Sequence, residues 1–348
     1  LTAPTTGSLV APRSIWFLAD TSGIGGVERH IATLANSLQR HGHPVEVVVY
    51  GPHGASQWFE QLSALGLRKR TLDNTFGGLV RALRAHRPAL LHVHGYKAAI
   101  LGRLAARLTG TPVVASNHES ERGRYPLNVY RIVDDWLSIL SPTIGVSAPI
   151  AARIPFNSVH IPNFTDLPSA PTDTALPMRV AFVGRLADVK RPDLYCDVAA
   201  RAPPSIAFDV YGDGPLRAAL EAQHGHRVTF HGMVSDLAPV WPTIGLLLMT
   251  SDMEGQPYAA LEAMSHGIPV AASRVGGMLD LIAHGETGWL FEPGDVAGAL
   301  AALDTWRSLS PAEAAALRRR CWQRVHDTFS EEAVLPRLMD VYARAGYR

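Results

Sequence analysis

Short apolar runs alternate along this chain with longer stretches in which apolar side chains recur at helical spacing. That alternation predicts parallel β-α-β units. In the first half the predicted strands are Ile15–Ala19, Val45–Tyr50, Leu90–Val93, Val113–Ser116, Thr143–Val146 and Val159–Ile161. The clearer helices there are Gly26–Gln39, Ala98–Leu108 and Ala148–Arg153. A segment rich in Pro, Ser and Thr follows, from Leu167 to Pro177, and reads as a linker. The pattern then restarts. Strands are predicted at Val180–Val183, Phe208–Tyr211, Val228–Phe230, Gly245–Met249, Val270–Ala272 and Trp289–Phe291, and helices at Pro192–Ala200, Pro215–Gln223, Pro257–His266 and Met278–His284. From Val296 onward the tail is helical, with breaks near Ser310-Pro311 and Ser330. Two doubly wound α/β lobes with a cleft between them follow, and ligands in such sheets bind beyond the carboxyl ends of the strands.

Composition changes this picture little. At 348 residues the chain is long for one domain and suits two. Two cysteines, Cys196 and Cys321, form neither a metal spacing nor a disulfide framework, which points to a reducing, cytoplasmic setting. Leu1 to Pro12 lacks the basic start and apolar core of a signal peptide, and no run of apolar residues is long enough to span a bilayer. Charge is uneven. Residues 1–168 hold 16 Lys/Arg against 10 Asp/Glu, whereas residues 169–348 hold 16 against 21. The basic half could draw in an anionic acceptor or an anionic bilayer, or simply attract the acidic lobe. No basic stretch interleaves with aromatics, so nucleic acid is not an expected partner.

The most informative stretch runs from Ser251 to Val270. Glu254 lies in a Gly- and Pro-containing loop, and Glu262 lies eight positions on, expected two turns into an apolar helix. The helix N-terminus offers free N–H groups and partial positive charge to a diphosphate. A carboxylate can accept two hydrogen bonds from a vicinal diol, which suits a sugar at one end and a ribose at the other.

The stretch resembles the Glu-x7-Glu motif of the retaining family 4 glycosyltransferases, which have the GT-B fold. The order of the segments that follow, Ala271 to Gly277, His284 to Phe291 and Pro293-Gly294-Asp295, strengthens the likeness. The resemblance implies an acceptor-binding lobe over residues 1–166, a nucleotide-sugar lobe over 178–328 and a final helix, 329–348, crossing back to the first lobe. It implies that Glu254 meets the transferred sugar, that Glu262 grips the ribose, and that Gly255, Gln256 and Pro257 line the donor site. Arg185 and Lys190, which follow the strand ending at Val183, match the family's phosphate-binding cations. Cations there would stabilise the diphosphate as it leaves. Arg191 stands where the family commonly has Gly, which puts local backbone approach in doubt.

Further positions carry weaker implications. Tyr211-Gly212-Asp213-Gly214-Pro215 resembles a family turn on the nucleotide side, although Asp213 could equally belong to a tight strand–helix turn. Gly23-Ile24-Gly25-Gly26-Val27-Glu28 is not a dinucleotide fingerprint, because Glu28 sits where Gly is required. It resembles the family's Gly-Gly-x-Glu loop, in which Gly25 and Gly26 would approach the donor phosphate. His118, just past a strand end, matches a family His that contacts the donor sugar, while His92 and His94 are by default structural. Asn163-Phe164-Thr165-Asp166 departs from the family's Asn-Gly-x-Asp hinge and implies a stiffer chain. Asp252-Met253-Glu254 superficially suggests a metal site, but the sugar-binding loop explains it more simply, so neither a metal nor another cofactor is expected.

The expectation is a metal-independent, retaining transferase that moves a sugar from a nucleotide-diphosphate sugar to an acceptor hydroxyl by front-face substitution. The acceptor is left open among natural products, lipid-linked sugars and polysaccharide precursors. A GT-B-like nucleotide-sugar epimerase and a non-catalytic nucleotide-sugar-binding protein are the alternatives. Contact with the inner membrane face is compatible with the basic first half.

Overall fold

The computed structural model describes residues 13–20, 25–51, 56–118, 127–171 and 176–348. Gly23, Ile24 and part of the expected linker lie outside them. The first sheet is built from β1 (Ile15–Ala19), β2 (Val45–Val49), β3 (Arg68–Thr71), β4 (Leu90–His94), β5 (Val113–Asn117), β6 (Thr143–Gly145) and β7 (Ser158–His160). Their order is β3-β2-β1-β4-β5-β6-β7, and all pairings are parallel. β1 and β4 are fully buried, as apolar strands sandwiched between helices must be. β3 was not predicted. Its sequence, Arg-Lys-Arg-Thr, carries no apolar signal, because it is an edge strand with mostly exposed side chains.

Helices cover both faces. α1 (Gly26–Arg40), α2 (Ser56–Ala64) and the C-terminal helix α13 (Glu331–Ala345) lie on one side, with Val334, Leu338 and Tyr342 of α13 in one core with Ile15, Phe17 and Val47. The other side carries α3 (Phe76–His86) and α4 (Tyr96–Thr109), whose Leu79, Leu83, Ala98 and Ala105 meet Trp16, Leu18 and Val93. α5 (Leu127–Leu137) packs against α4, and α6 (Ala148–Arg153) follows β6.

The second sheet comprises β8 (Arg179–Val183), β9 (Ala207–Tyr211), β10 (Thr229–Gly232), β11 (Leu246–Met249), β12 (Val270–Ser273) and β13 (Gly288–Phe291), ordered β10-β9-β8-β11-β12-β13 and again parallel. Its helices are α7 (Pro192–Arg201), α8 (Arg217–His224), α9 (Tyr258–Ser265), α10 (Met278–Leu281), α11 (Val296–Arg307) and α12 (Pro311–Phe329). The breaks expected at Ser310-Pro311 and Ser330 are present, each with a serine side chain accepting from a backbone N–H. α10 is shorter than predicted and ends at Leu281, because Ile282 turns extended. Among the described residues no helix is long and apolar enough to cross a membrane.

Strand order reverses between β1 and β4 in one sheet and between β8 and β11 in the other. Those switch points put the crevices of the two lobes opposite each other. The chain passes between lobes twice, through the segment around Asn163 and again at Ser330. The two passages are tied, since Thr165 N–H donates to the carbonyl of Phe329 at 3.2 Å. Phe164, in place of the expected glycine, is buried in the first-lobe core.

Candidate active site in the interlobe cleft

β8 ends at Val183, and the loop beyond it carries Arg185 and Lys190. Two backbone layers hold that loop in place. Leu186 N–H donates to Asp213 O at 2.9 Å, and Leu216 N–H donates to Leu186 O at 3.1 Å. Gly212 has φ 142°, and a Cβ there would stand 1.9 Å from the Gly184 carbonyl oxygen, so only glycine fits between these two loops. Asp213 accepts from its neighbour Gly214 N–H at 2.7 Å and pairs with Arg217 at 2.9 Å, so its carboxylate serves the turn itself.

Lys190 Nζ donates to both carboxylate oxygens of Glu254, each at 2.7 Å, and Ser251 Oγ adds a hydrogen bond at 2.6 Å. Glu254 is buried, whereas Arg185 is exposed and has no ion-pair partner among the described residues. Asp252 turns the other way, toward Arg191 at 3.5 Å. The two acids of the Asp-Met-Glu segment therefore face different cations. Arg191 itself adopts the left-handed conformation, φ 47°, at the position where the family commonly has glycine.

The Glu254 loop is held by close backbone contacts. A Cβ at Gly276 would lie 1.6 Å from the Glu254 carbonyl oxygen, and Gly277 N–H donates to Gly255 O at 2.7 Å. Pro257 stays extended and caps α9, so the helix starts at Tyr258. Glu262 is consequently its fifth residue, little more than one turn in, rather than two. The cap supplies no side-chain hydrogen bond, which leaves the first-turn amides available to an anion.

Several contacts bridge the lobes here. Arg29 of α1 forms an ion pair with Glu262, and His30 Nδ1 lies 3.2 Å from Tyr258 Oη. Burial raises the Glu262 pKa above its ordinary value, against the pull of Arg29. Asn163 N–H donates to Gln256 Oε1 at 2.5 Å, and Asn163 Nδ2 donates to the Gln256 carbonyl at 2.8 Å. Gln256 thus clasps the interlobe passage. Gly255 meets the first lobe directly, because a Cβ there would stand 2.0 Å from the His118 carbonyl oxygen. Gly25 and Gly26 are exposed at the start of α1, with open space beside Gly26 and Glu28 folded against Gly25.

His118 is one of four packed histidines. Its Nε2 lies 3.1 Å from His94 Nδ1, and its ring stands 4.5 Å from that of His30. His92 is held by Tyr342 Oη at 2.7 Å and Ser116 Oγ at 2.8 Å. Burial pushes all four rings well below the ordinary histidine range, His30 to about 4, so they are neutral at physiological pH. His30, His94 and His118 present ring nitrogens within 4.8 Å of one another, the one described group with metal-ligand spacing. Sequence reasoning named His118, Lys190, Glu254 and Glu262. It did not identify Arg29 and Tyr258 as bridges between the lobes. Both flank recognised motifs, and nothing in their own spacing singles them out.

Two family models cover most of the chain. Residues 24–169 match the model described as Glycosyltransferase Family 4, and residues 177–306 match Glycosyl transferases group 1. The chain belongs to the family 4 glycosyltransferases. This glycosyltransferase is 27% identical to a D-inositol 3-phosphate glycosyltransferase of Mycolicibacterium paratuberculosis, over 93% of this chain and 87% of that protein. It is 28% identical to a sulfoquinovosyl transferase of Arabidopsis thaliana, over 86% and 67% respectively. The Anabaena protein HepE, crystallised with UDP-glucose, matches it with a TM-score of 0.83 at 19% identity, over 95% of this chain and 100% of its own. The two-lobed GT-B fold is thereby established.

Proposed function

We propose that this glycosyltransferase moves a sugar from a nucleoside-diphosphate sugar, with UDP the first candidate, to an acceptor hydroxyl, retaining anomeric configuration and needing no metal. The observation that carries this reading is the Lys190–Glu254 pair, whose lysine shares the loop after β8 with Arg185, unpaired among the described residues, and whose glutamate precedes Gly255, which lies against His118 of the first lobe. UDP-glucose bound by the structurally similar HepE supports the choice of nucleotide.

In the proposed reaction the second lobe holds the donor and the first receives the acceptor. The acceptor oxygen bonds to the anomeric carbon on the face from which the diphosphate leaves. The bond from that carbon to the phosphate oxygen breaks, and the acceptor's proton passes to a diphosphate oxygen. Arg185 and Lys190 stabilise the charge gathering on the leaving group, and Glu254 and His118 hold the sugar. Glu262 takes the ribose diol once Arg29 releases it. The assay is turnover of UDP-sugars with candidate acceptors, with the anomeric configuration of the product read by NMR coupling constants. Retention and full activity in excess EDTA are expected. An inverted product, or activity lost to EDTA and restored by Mg²⁺ or Mn²⁺, would overturn the corresponding part of the proposal.

A further inference from the structure

Helix α5 is built inside out. Its two carboxylates, Asp134 and Asp135, face the protein, while its apolar side chains face solvent. Asp134 is clamped by Arg103 of α4, a fully buried guanidinium that also donates to Ser141 Oγ at 3.0 Å and Thr143 Oγ1 at 2.8 Å. Asp135 faces Arg131 at 3.4 Å and Arg153 at 3.3 Å. A soluble amphipathic helix would bury Trp136 and expose the acids, because unpaired burial of a charge is costly. Here the arginines make the reverse arrangement stable.

The result is one concentrated apolar surface. Of the 14 large apolar side chains exposed among the described residues, ten lie on α4, α5 and the turn after it, among them Leu108, Ile132, Trp136 at 63%, Ile139 at 58% and Leu140. A patch of this kind marks an interaction surface. Its charge says which partner fits. Among the described residues from Phe76 to Leu140 the only acids are Asp134 and Asp135, both buried, whereas Arg84, Arg87 and Arg107 are exposed. The exposed charged side chains on α3 and α4 themselves are therefore all cationic among the described residues, Arg81 being paired with Asp73 just before α3, and Trp136 and Tyr130 of α5 are suited to the headgroup level.

We infer that this layer docks on the surface of an anionic lipid bilayer, with α5 lying in the interface and the arginines of α3 and α4 facing the headgroups. Cations are attracted by the negative surface potential of such a bilayer, and the apolar face adds its burial. A second copy of this chain would set the same cations against one another, which disfavours it.

The experiment is co-sedimentation of the full chain with phosphatidylcholine vesicles, with and without phosphatidylglycerol. Binding to the anionic vesicles, at least tenfold weaker to the neutral ones, is expected. Ile132→Glu/Ile139→Glu should lose it by tenfold or more while keeping the far-UV spectrum and donor turnover in solution. Trp136→Phe should still bind but lose the quenching of emission by brominated lipid. No binding to anionic vesicles, equal binding by the Glu variant, or a dimer in sedimentation velocity that this variant dissolves would overturn the inference. Turnover in solution is read separately, so failure of the docking surface is distinguishable from failure of the glycosyl-transfer reading.

Discussion

Lys190 and Glu254 hold each other, with the ammonium nitrogen 2.7 Å from both carboxylate oxygens. The pair sets the lysine before any phosphate arrives, so little reorganisation remains for the reaction. Lys190→Ala and Arg185→Ala should each lower kcat/KM by roughly 10²–10³, the usual loss for one charge-stabilising donor. Lys190→Ala should also lower thermal stability, because it leaves Glu254 buried without its cation. Arg185→Ala, with no pair to break, should not. Steady-state kinetics beside thermal melts check both, and near wild-type kcat/KM in folded variants would refute the phosphate role.

The two glutamates should fail differently. Glu262→Gln should weaken free UDP and the donor alike, a uniform binding loss that raises KM. Glu254→Gln should lower kcat, since the sugar is no longer positioned, and should weaken UDP less than Glu262→Gln does, because it reaches the diphosphate only through the loosened Lys190. Titration calorimetry with UDP decides the matter. Weakening by Glu254→Gln alone, or equally by both, would reverse or merge the assignments.

Gly255 touches the opposite lobe through backbone alone. In Gly255→Ala the new methyl would fall 2.0 Å from the His118 carbonyl, too close for any real contact. The lobes must part or the loop must shift, and a displacement near 1 Å can cost about 10² in rate. The expected result is turnover reduced about that much with near-normal folding. Unchanged turnover would show that this approach of the lobes is not used in the reaction.

Acid should weaken the protein through its histidines. The folded pKa of His30 is about 4 against an ordinary 6.5, and those of His92, His94 and His118 are also lowered by burial. Above pH 6.5 the contribution is complete. As pH falls through that value the unfolded chain takes up protons that the fold refuses, and stability is lost down toward the folded pKa values. Urea midpoints measured from about pH 7 to about pH 5 should fall, and less so in His30→Gln. Equal falls in both proteins would exclude a His30 contribution.

The buried strands and the run from Glu254 to Asp295 were legible in sequence because both depend on local order. A parallel strand buried on both faces is a plain apolar run, as in Val45–Val49, and Pro257 marks where α9 begins. What escaped were relationships between distant residues. Arg29 meets Glu262 only after two sheets have formed. Gln256 was assigned to the donor, yet its side chain is held by Asn163. β3 has no apolar signature because edge strands do not need one. The orientation of α5 could not be read from its periodicity, since the burial of Asp134 rests on Arg103 from another helix. The departure at Arg191 was visible, and its meaning became clear only in the backbone, where arginine takes the turn that glycine would take freely.

Joined passages of chain between the lobes have a mechanical consequence. A single tether would let one lobe swivel and tilt freely against the other. Here Thr165 is fastened to Phe329, so the two tethers run side by side like the leaves of a door hinge. Twisting strains that bond more than bending across it does, so the tie opposes bending least, and a pair of spectroscopic labels, one per lobe, would read that direction of opening.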